Sequence, residues 1–200
     1  MIPVFDLGNV LLDWDPRFLY RKLIPDAAAM EDFLGRVCTR DWHLTLDAGK
    51  PFDQAIAERC AAFPAQRALI EAYRDRWNET IAGSIPGTVA LLEQLHASGS
   101  RLYAISNFSA EAFEMTRPLY PFLDGFDGLV ISGREGLVKP DAAIYRLLLD
   151  RYGLRAEECL FIDDVERNIQ GARAVGMQAV LFTNPEQLAL DLRHYGLLPA

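Results

Sequence analysis

Cysteine is scarce: Cys38, Cys60 and Cys159 are the only three in 200 residues. No two lie at a short spacing, which excludes a disulfide framework and a cysteine zinc site, and leaves reduced thiols of a cytoplasmic protein as the expectation. Lysine is also rare, three residues against seventeen arginines, so each lysine is a noticeable choice. There is no basic run; the net charge is −8 and the pI about 4.9. Non-specific nucleic-acid binding needs clustered Lys and Arg to neutralise phosphates, so no nucleic-acid partner is expected. No apolar run approaches the roughly 20 residues of a membrane span, and the start, Met-Ile-Pro-Val-Phe-Asp, has no charged segment leading into an apolar one. The expectation is a chain without a membrane partner. The three histidines, His43, His96 and His194, are scattered and read as surface or packing residues.

What is present is an ordinary globular balance, 50% apolar and 24% charged, enough for one sizeable domain or a core plus a small insertion. Five short apolar runs, Ile2–Phe5, Leu102–Ile105, Leu129–Ile131, Leu160–Ile162 and Ala179–Phe182, show no alternation. That suits parallel strands covered on both faces. Helical patterns at Pro86–Ser98, Asp141–Tyr152 and Glu166–Val175 separate the later runs; each is followed by glycine. The fold class is therefore α/β, with a parallel sheet and right-handed crossovers. Residues 16–82 break the rhythm: they contain no convincing strand and read as about four helices, far longer than a normal connection. The simplest division is a core of residues 1–15 and 83–200 with a helical insertion, 16–82, after the first strand.

In such sheets ligands bind beyond the carboxyl ends of the strands. Asp6 follows the first apolar run, Ser106 and Asn107 the second, and Asp163-Asp164 the fourth, while Lys139 stands ahead of a helix. Aspartate is ionised at pH 7 and needs no separate base to act as a nucleophile. Phosphorus is its natural target, but a carboxylate approaching a phosphate is repelled, at about 4 kcal/mol per unit-charge pair at 4 Å near a protein surface. A cation shared by Asp6, Asp163 and Asp164 would reverse that sign, and hard oxygen donors without His or Cys point to Mg2+. Lys139 would neutralise further charge, and Ser106, Asn107 and nearby N–H groups would bind phosphoryl oxygens.

Together Phe5-Asp6-Leu7-Gly8-Asn9-Val10-Leu11, Ile105-Ser106-Asn107, Lys139-Pro140 and Phe161-Ile162-Asp163-Asp164, the last followed by Asn168, Gly171 and Ala172, resemble the four motifs of haloacid dehalogenase-like hydrolases, in order. The start, with Asp13-Trp14-Asp15, is most similar to the branch of glucose-1-phosphate-type phosphatases and epoxide hydrolase phosphatase domains. The resemblance implies a Rossmann-like three-layer α/β/α core with a small helical cap. It implies Asp6 as a nucleophile forming an aspartyl-phosphate, metal ligands Asp6, Asp163, Asp164 and the Gly8 carbonyl, and a small phosphorylated metabolite, a sugar phosphate, as substrate. Trp14, where core passes to cap, is expected to line the cleft; Trp42 and Trp77 are expected to be packing residues. The common family pattern has a second aspartate, a general acid and base, where this chain has Gly8. General acid–base help is typically worth 10²–10⁴-fold. Two other readings stay open: a metal-free haloacid dehalogenase, for which the Asp163-Asp164 diacid would have no use, and a catalytically weak or inactive binding protein. Oligomeric state is not legible.

Overall fold

A computed structural model describes residues 1–199. The chain begins with β1 (Ile2–Phe5) and β2 (Leu12–Trp14), then runs through α1 (Arg17–Tyr20), α2 (Ala27–Arg36), α3 (Arg40–Asp47), α4 (Phe52–Ala62) and α5 (Arg67–Asp75). It returns through β3 (Ile81–Ser84) into α6 (Pro86–Ala97), β4 (Tyr103–Ser106), α7 (Ala110–Thr116), β5 (Gly128–Ile131) and α8 (Ser132–Glu135). The remainder is α9 (Ala142–Tyr152), β6 (Cys159–Asp163), α10 (Glu166–Ala174), β7 (Gln178–Leu181) and α11 (Pro185–His194).

The five expected strands form one parallel sheet in the order β5-β4-β1-β6-β7. Successive residues of each strand serve opposite faces. Phe5, Ala104, Ile131 and Ile162 pack with Leu91, Leu92 and Leu95 of α6 and Leu188 and Leu192 of α11. Val4, Ile105, Val130 and Phe161 pack with Ile144, Tyr145 and Leu148 of α9 and Ile169 and Ala172 of α10. Both faces are covered, hence the unbroken apolar runs and the three layers. The chain steps from β1 to β4 and β5 on one side and resumes at β6 and β7 on the other, so the sheet's switch point lies at the end of β1.

The helices start and stop where local chemistry allows. Asp141 accepts the Ala143 N–H at 2.8 Å, and Gly153 closes α9 at φ 61°, a conformation glycine takes without Cβ strain. Asp26 and Thr39 cap α2 and α3 in the same manner. Two features differ from the sequence expectation. The helical insert is carried on an antiparallel ribbon, β2 paired with β3, so residues 81 and 82, assigned to the insert, begin a strand. Ile-Ala-Gly-Ser has too little apolar content to announce one. The chain also ends in α11, announced only by Asn184, whose side chain accepts the Gln187 N–H, followed by Pro185 in the first turn.

Candidate active site

Asp6 emerges from β1, Ser106 from β4 and Asp163 from β6, neighbours across the switch point, and all three are buried. A tight turn follows Asp6. The N–H groups of Leu11 and Leu12 return to the Leu7 carbonyl, the Asn9 N–H reaches the Leu12 carbonyl, and Asn9 sits at φ 55°, where asparagine is among the tolerated residues. These bonds leave the Gly8 carbonyl unused.

Lys139 joins the acids. Its Nζ lies 2.8 Å from Asp6 Oδ2, 2.6 Å from Asp163 Oδ2 and 3.1 Å from the Ile105 carbonyl, so all three ammonium protons have acceptors. Asn107 braces it: its Oδ1 accepts the Lys139 N–H at 2.8 Å and its Nδ2 donates to the Lys139 carbonyl at 3.1 Å. Both ends of the Asn107 amide are thus engaged on the lysine's main chain. Asp6 Oδ1 accepts the Leu7 N–H at 2.7 Å and the Ser106 hydroxyl at 2.8 Å, which fixes the plane of the carboxylate.

One oxygen from each of Asp6, Asp163 and Asp164 lies within 4.8 Å of the others. Three carboxylates against one ammonium leave this pocket negative. Burial pushes Asp6 up to about 7; Lys139 opposes the rise, and Asp163 and Asp164 add to it. Asp164 is raised chiefly by burial and then by Asp163. For Lys139 burial disfavours the charge, but the two carboxylates outweigh it and the net displacement is upward. The donor set is all oxygen and short of positive charge, so it fits a hard divalent cation. The acids are not equivalent. Asp163 accepts from Val165 N and Asn168 Nδ2 on Oδ1 and from Lys139 and Asn168 on Oδ2, whereas Asp164 is half-buried and faces the cavity.

Asp6, Gly8, Asn107, Lys139 and Asp164 form one wall of a cavity of about 780 Å³, a size suited to a small organic ligand. The helical insert forms the opposite wall. Trp14 lines the cavity, as do Trp77 and Phe108; Trp42 does not. Asp13 and Asp15, close to the first motif in sequence, do not line it either; Asp15 accepts from the Arg17 N–H. His43, expected to be a packing or surface residue, packs within this wall. Its ring stacks on Trp14 at 4.7 Å between centroids and lies parallel to Trp77 at 6.1 Å. Its Nδ1 is 2.6 Å from the Tyr73 hydroxyl and its Nε2 3.3 Å from Asp47 Oδ2. Asp47 and Tyr73 line the cavity too, and burial raises both their pKa values. The i, i+4 spacing of His43 and Asp47 on a helix was the one signal for this group; Tyr73 comes from another helix and left none.

Residues 4–176 match the model of the haloacid dehalogenase-like hydrolases, and the chain belongs to that family. It is 27% identical over 193 residues to the sesquiterpene phosphatase astK of Aspergillus oryzae, covering 95% of this chain and 93% of that protein. Of four longer relatives it spans only 11% to 37%. Among solved structures, the HAD family enzyme bt-2542 of Bacteroides thetaiotaomicron superposes with a TM-score of 0.78 at 19% identity, covering 96% of this chain and 98% of that one. A magnesium and inorganic phosphate complex of the same enzyme gives 0.73, with 91% and 93% covered. No helix among the described residues is long and apolar enough to cross a membrane.

Proposed function

We propose that the protein is a magnesium-dependent phosphomonoester hydrolase of small metabolites, with sugar phosphates as the substrate class, working through an aspartyl-phosphate on Asp6. The observation that carries this reading is the gathering of one oxygen each of Asp6, Asp163 and Asp164 within 4.8 Å, with Lys139 bridging Asp6 and Asp163, at the edge of a cavity that Asp6, Lys139 and Asp164 line. The phosphatase relative and the magnesium–phosphate complex of the structural neighbour support it.

Asp6, Asp163 and Asp164 would hold the ion with the Gly8 carbonyl, and Asp163 also accepts from Lys139 and so orients it. When bound, the cation supplies charge neutralisation for Asp6 and for the phosphoryl oxygens. The Asp6 carboxylate attacks phosphorus, a new P–O bond forms to Asp6, and the bond to the leaving oxygen breaks. Gly8 has no side chain, so the leaving oxygen takes its proton from water. A second water then cleaves the acyl phosphate, releasing inorganic phosphate and restoring the carboxylate. Lys139 stabilises charge on the transferring group, and Asn107, by gripping the Lys139 backbone, keeps that ammonium in place. Residues 16–82 act as a cap that excludes bulk water and contacts the leaving group.

The test is a screen of phosphorylated metabolites with magnesium, repeated with EDTA and with Asp6→Asn. Turnover should need both the metal and Asp6. Halide release from 2-haloacids that ignores EDTA would favour a dehalogenase instead, and absence of any turnover would favour a binding role.

A further inference from the structure

One buried hydroxyl joins three segments of the chain. Ser132 opens α8 directly after β5 and is fully buried. Its Oγ donates to the carbonyl of Asp47, the last residue of α3, at 2.6 Å and accepts the Phe108 N–H at 2.9 Å. A hydroxyl has one proton to give, and the Phe108 carbonyl, at 3.4 Å, is the more distant acceptor. The proton therefore goes to Asp47, which turns a lone pair toward the Phe108 N–H.

The next residue holds Phe108 from its other side: the Gly133 N–H donates to the Phe108 carbonyl at 3.0 Å. This approach is closer than a side chain would permit. A Cβ on Gly133 would lie 2.4 Å from the Ala110 nitrogen and 2.8 Å from the Phe108 oxygen, so the contact requires glycine.

The bond to the Phe108 N–H acts on Asn107, because that N–H belongs to the planar peptide joining the two residues. Asn107 in turn grips the Lys139 main chain through both ends of its amide, at 2.8 and 3.1 Å. Segments 106–110 and 132–139 are thus locked together twice, by Ser132-Gly133 on Phe108 and by Asn107 on Lys139. The Lys139 ammonium reaches Asp6 at 2.8 Å from a main chain whose place depends on both locks. Releasing the first lets the Asn107–Phe108 peptide turn and carries the second with it.

We propose that Ser132 is a positioning residue for phosphoryl transfer: its hydroxyl, oriented by the Asp47 carbonyl, fixes the Asn107–Phe108 peptide and through Asn107 places the Lys139 ammonium. This rests on the phosphatase reading and adds to it a residue that does not line the cavity.

The experiment is a double-mutant cycle on kcat for p-nitrophenyl phosphate at saturating magnesium, each variant assayed well below its thermal midpoint. Ser132→Ala removes the hydroxyl, and Asn107→Ala removes the grip on Lys139. A displacement of about 1 Å in a reacting or stabilising group costs up to about 100-fold, so each single variant should lose about 10- to 100-fold. Because both losses pass through Lys139, the double variant should fall no more than about threefold below the worse single one. A bond that served stability alone would lower the folded fraction whatever stands at position 107, and the two losses would multiply. Multiplying losses, or a wild-type kcat in Ser132→Ala, overturn the positioning role and leave the phosphatase reading intact. No magnesium-dependent turnover by the wild type overturns both. Should Ser132→Ala fail to fold, Ser132→Cys, with only a weak donor and acceptor in place of the hydroxyl, carries the same cycle.

Discussion

Restoring a carboxyl at position 8 is the sharpest perturbation the site offers. A Cβ built on Gly8 meets nothing within 4 Å, and the residue does not occupy the left-handed region, so Gly8→Asp requires no backbone adjustment. Gly8 lines the cavity, so the new side chain would start from its wall. General acid catalysis at full efficiency is worth roughly 10²–10⁴-fold. A carboxyl set into a site not built around it and without its own orienting bonds should give less than that range, about 10- to 100-fold. The gain must depend on the leaving group. An alkoxide leaves only if protonated, whereas nitrophenolate leaves unaided, so propyl phosphate should gain about 10- to 100-fold in kcat and p-nitrophenyl phosphate less than about threefold. Steady-state kinetics at saturating magnesium, with the bell-shaped pH profile that a general acid introduces, would measure it. An equal gain on both esters, or no gain on the alkyl one, would mean that protonation is already supplied by another group and that Gly8 is not the deficiency described.

Lys139→Met removes the ammonium between Asp6 and Asp163 and leaves two buried carboxylates unpaired; a loss of about 3–5 kcal/mol in urea unfolding with EDTA present is expected, and a variant as stable as the wild type would contradict the pairing. Gly133→Ala should destabilise by about 1–3 kcal/mol, since its Cβ would enter the backbone of Phe108 and Ala110 at the start of α7, whereas Gly8→Ala has open space; similar thermal midpoints for the two would refute this. Burial holds the Asp47 carboxyl above its ordinary 3.8, so in the native state it binds protons that the unfolded chain has released. Its contribution to stability therefore falls as pH rises from about 4 through the raised native value. Asp47→Asn should gain on the wild type across that window, and a pH-independent difference in midpoint would count against the assignment.

The core was legible because it is simple. A strand buried on both faces cannot hide its composition, and Asp6, Ser106 and Asp163 each stand at the exit of such a strand, where the topology must bring them together. The insert was legible only as helices. What it contributes to the cavity depends on how α3 and α5 pack: His43 meets Tyr73 thirty positions away, and no periodicity records that meeting. Asn107 shows a subtler limit. Its residue type and place suggested a phosphate donor, while its amide is engaged on Lys139, a partner found only by tracing hydrogen bonds. The ribbon strand β3 failed for a third reason, four residues with too little apolar content to show a pattern.

The acidic character of the chain and an anionic substrate are reconciled by distance. Exposed carboxylates act through water, and at physiological ionic strength their field decays over roughly 8 Å. The surplus behind a net charge of −8 therefore has little effect at the cavity floor, and the groups that matter are those within contact of it. There three carboxylates and one ammonium sum to −2, and a divalent cation brings the sum to zero. Without an ion the floor would repel a phosphate, and Asp6 is partly protonated near neutral pH; with one, the same side chains would present an ionised Asp6 to a neutral surround. On the proposed mechanism, metal binding and activation of Asp6 would be one electrostatic event. For that reason affinity for phosphate and ionisation of Asp6 should rise together with magnesium, and a titration in which one appears without the other would separate what this geometry couples.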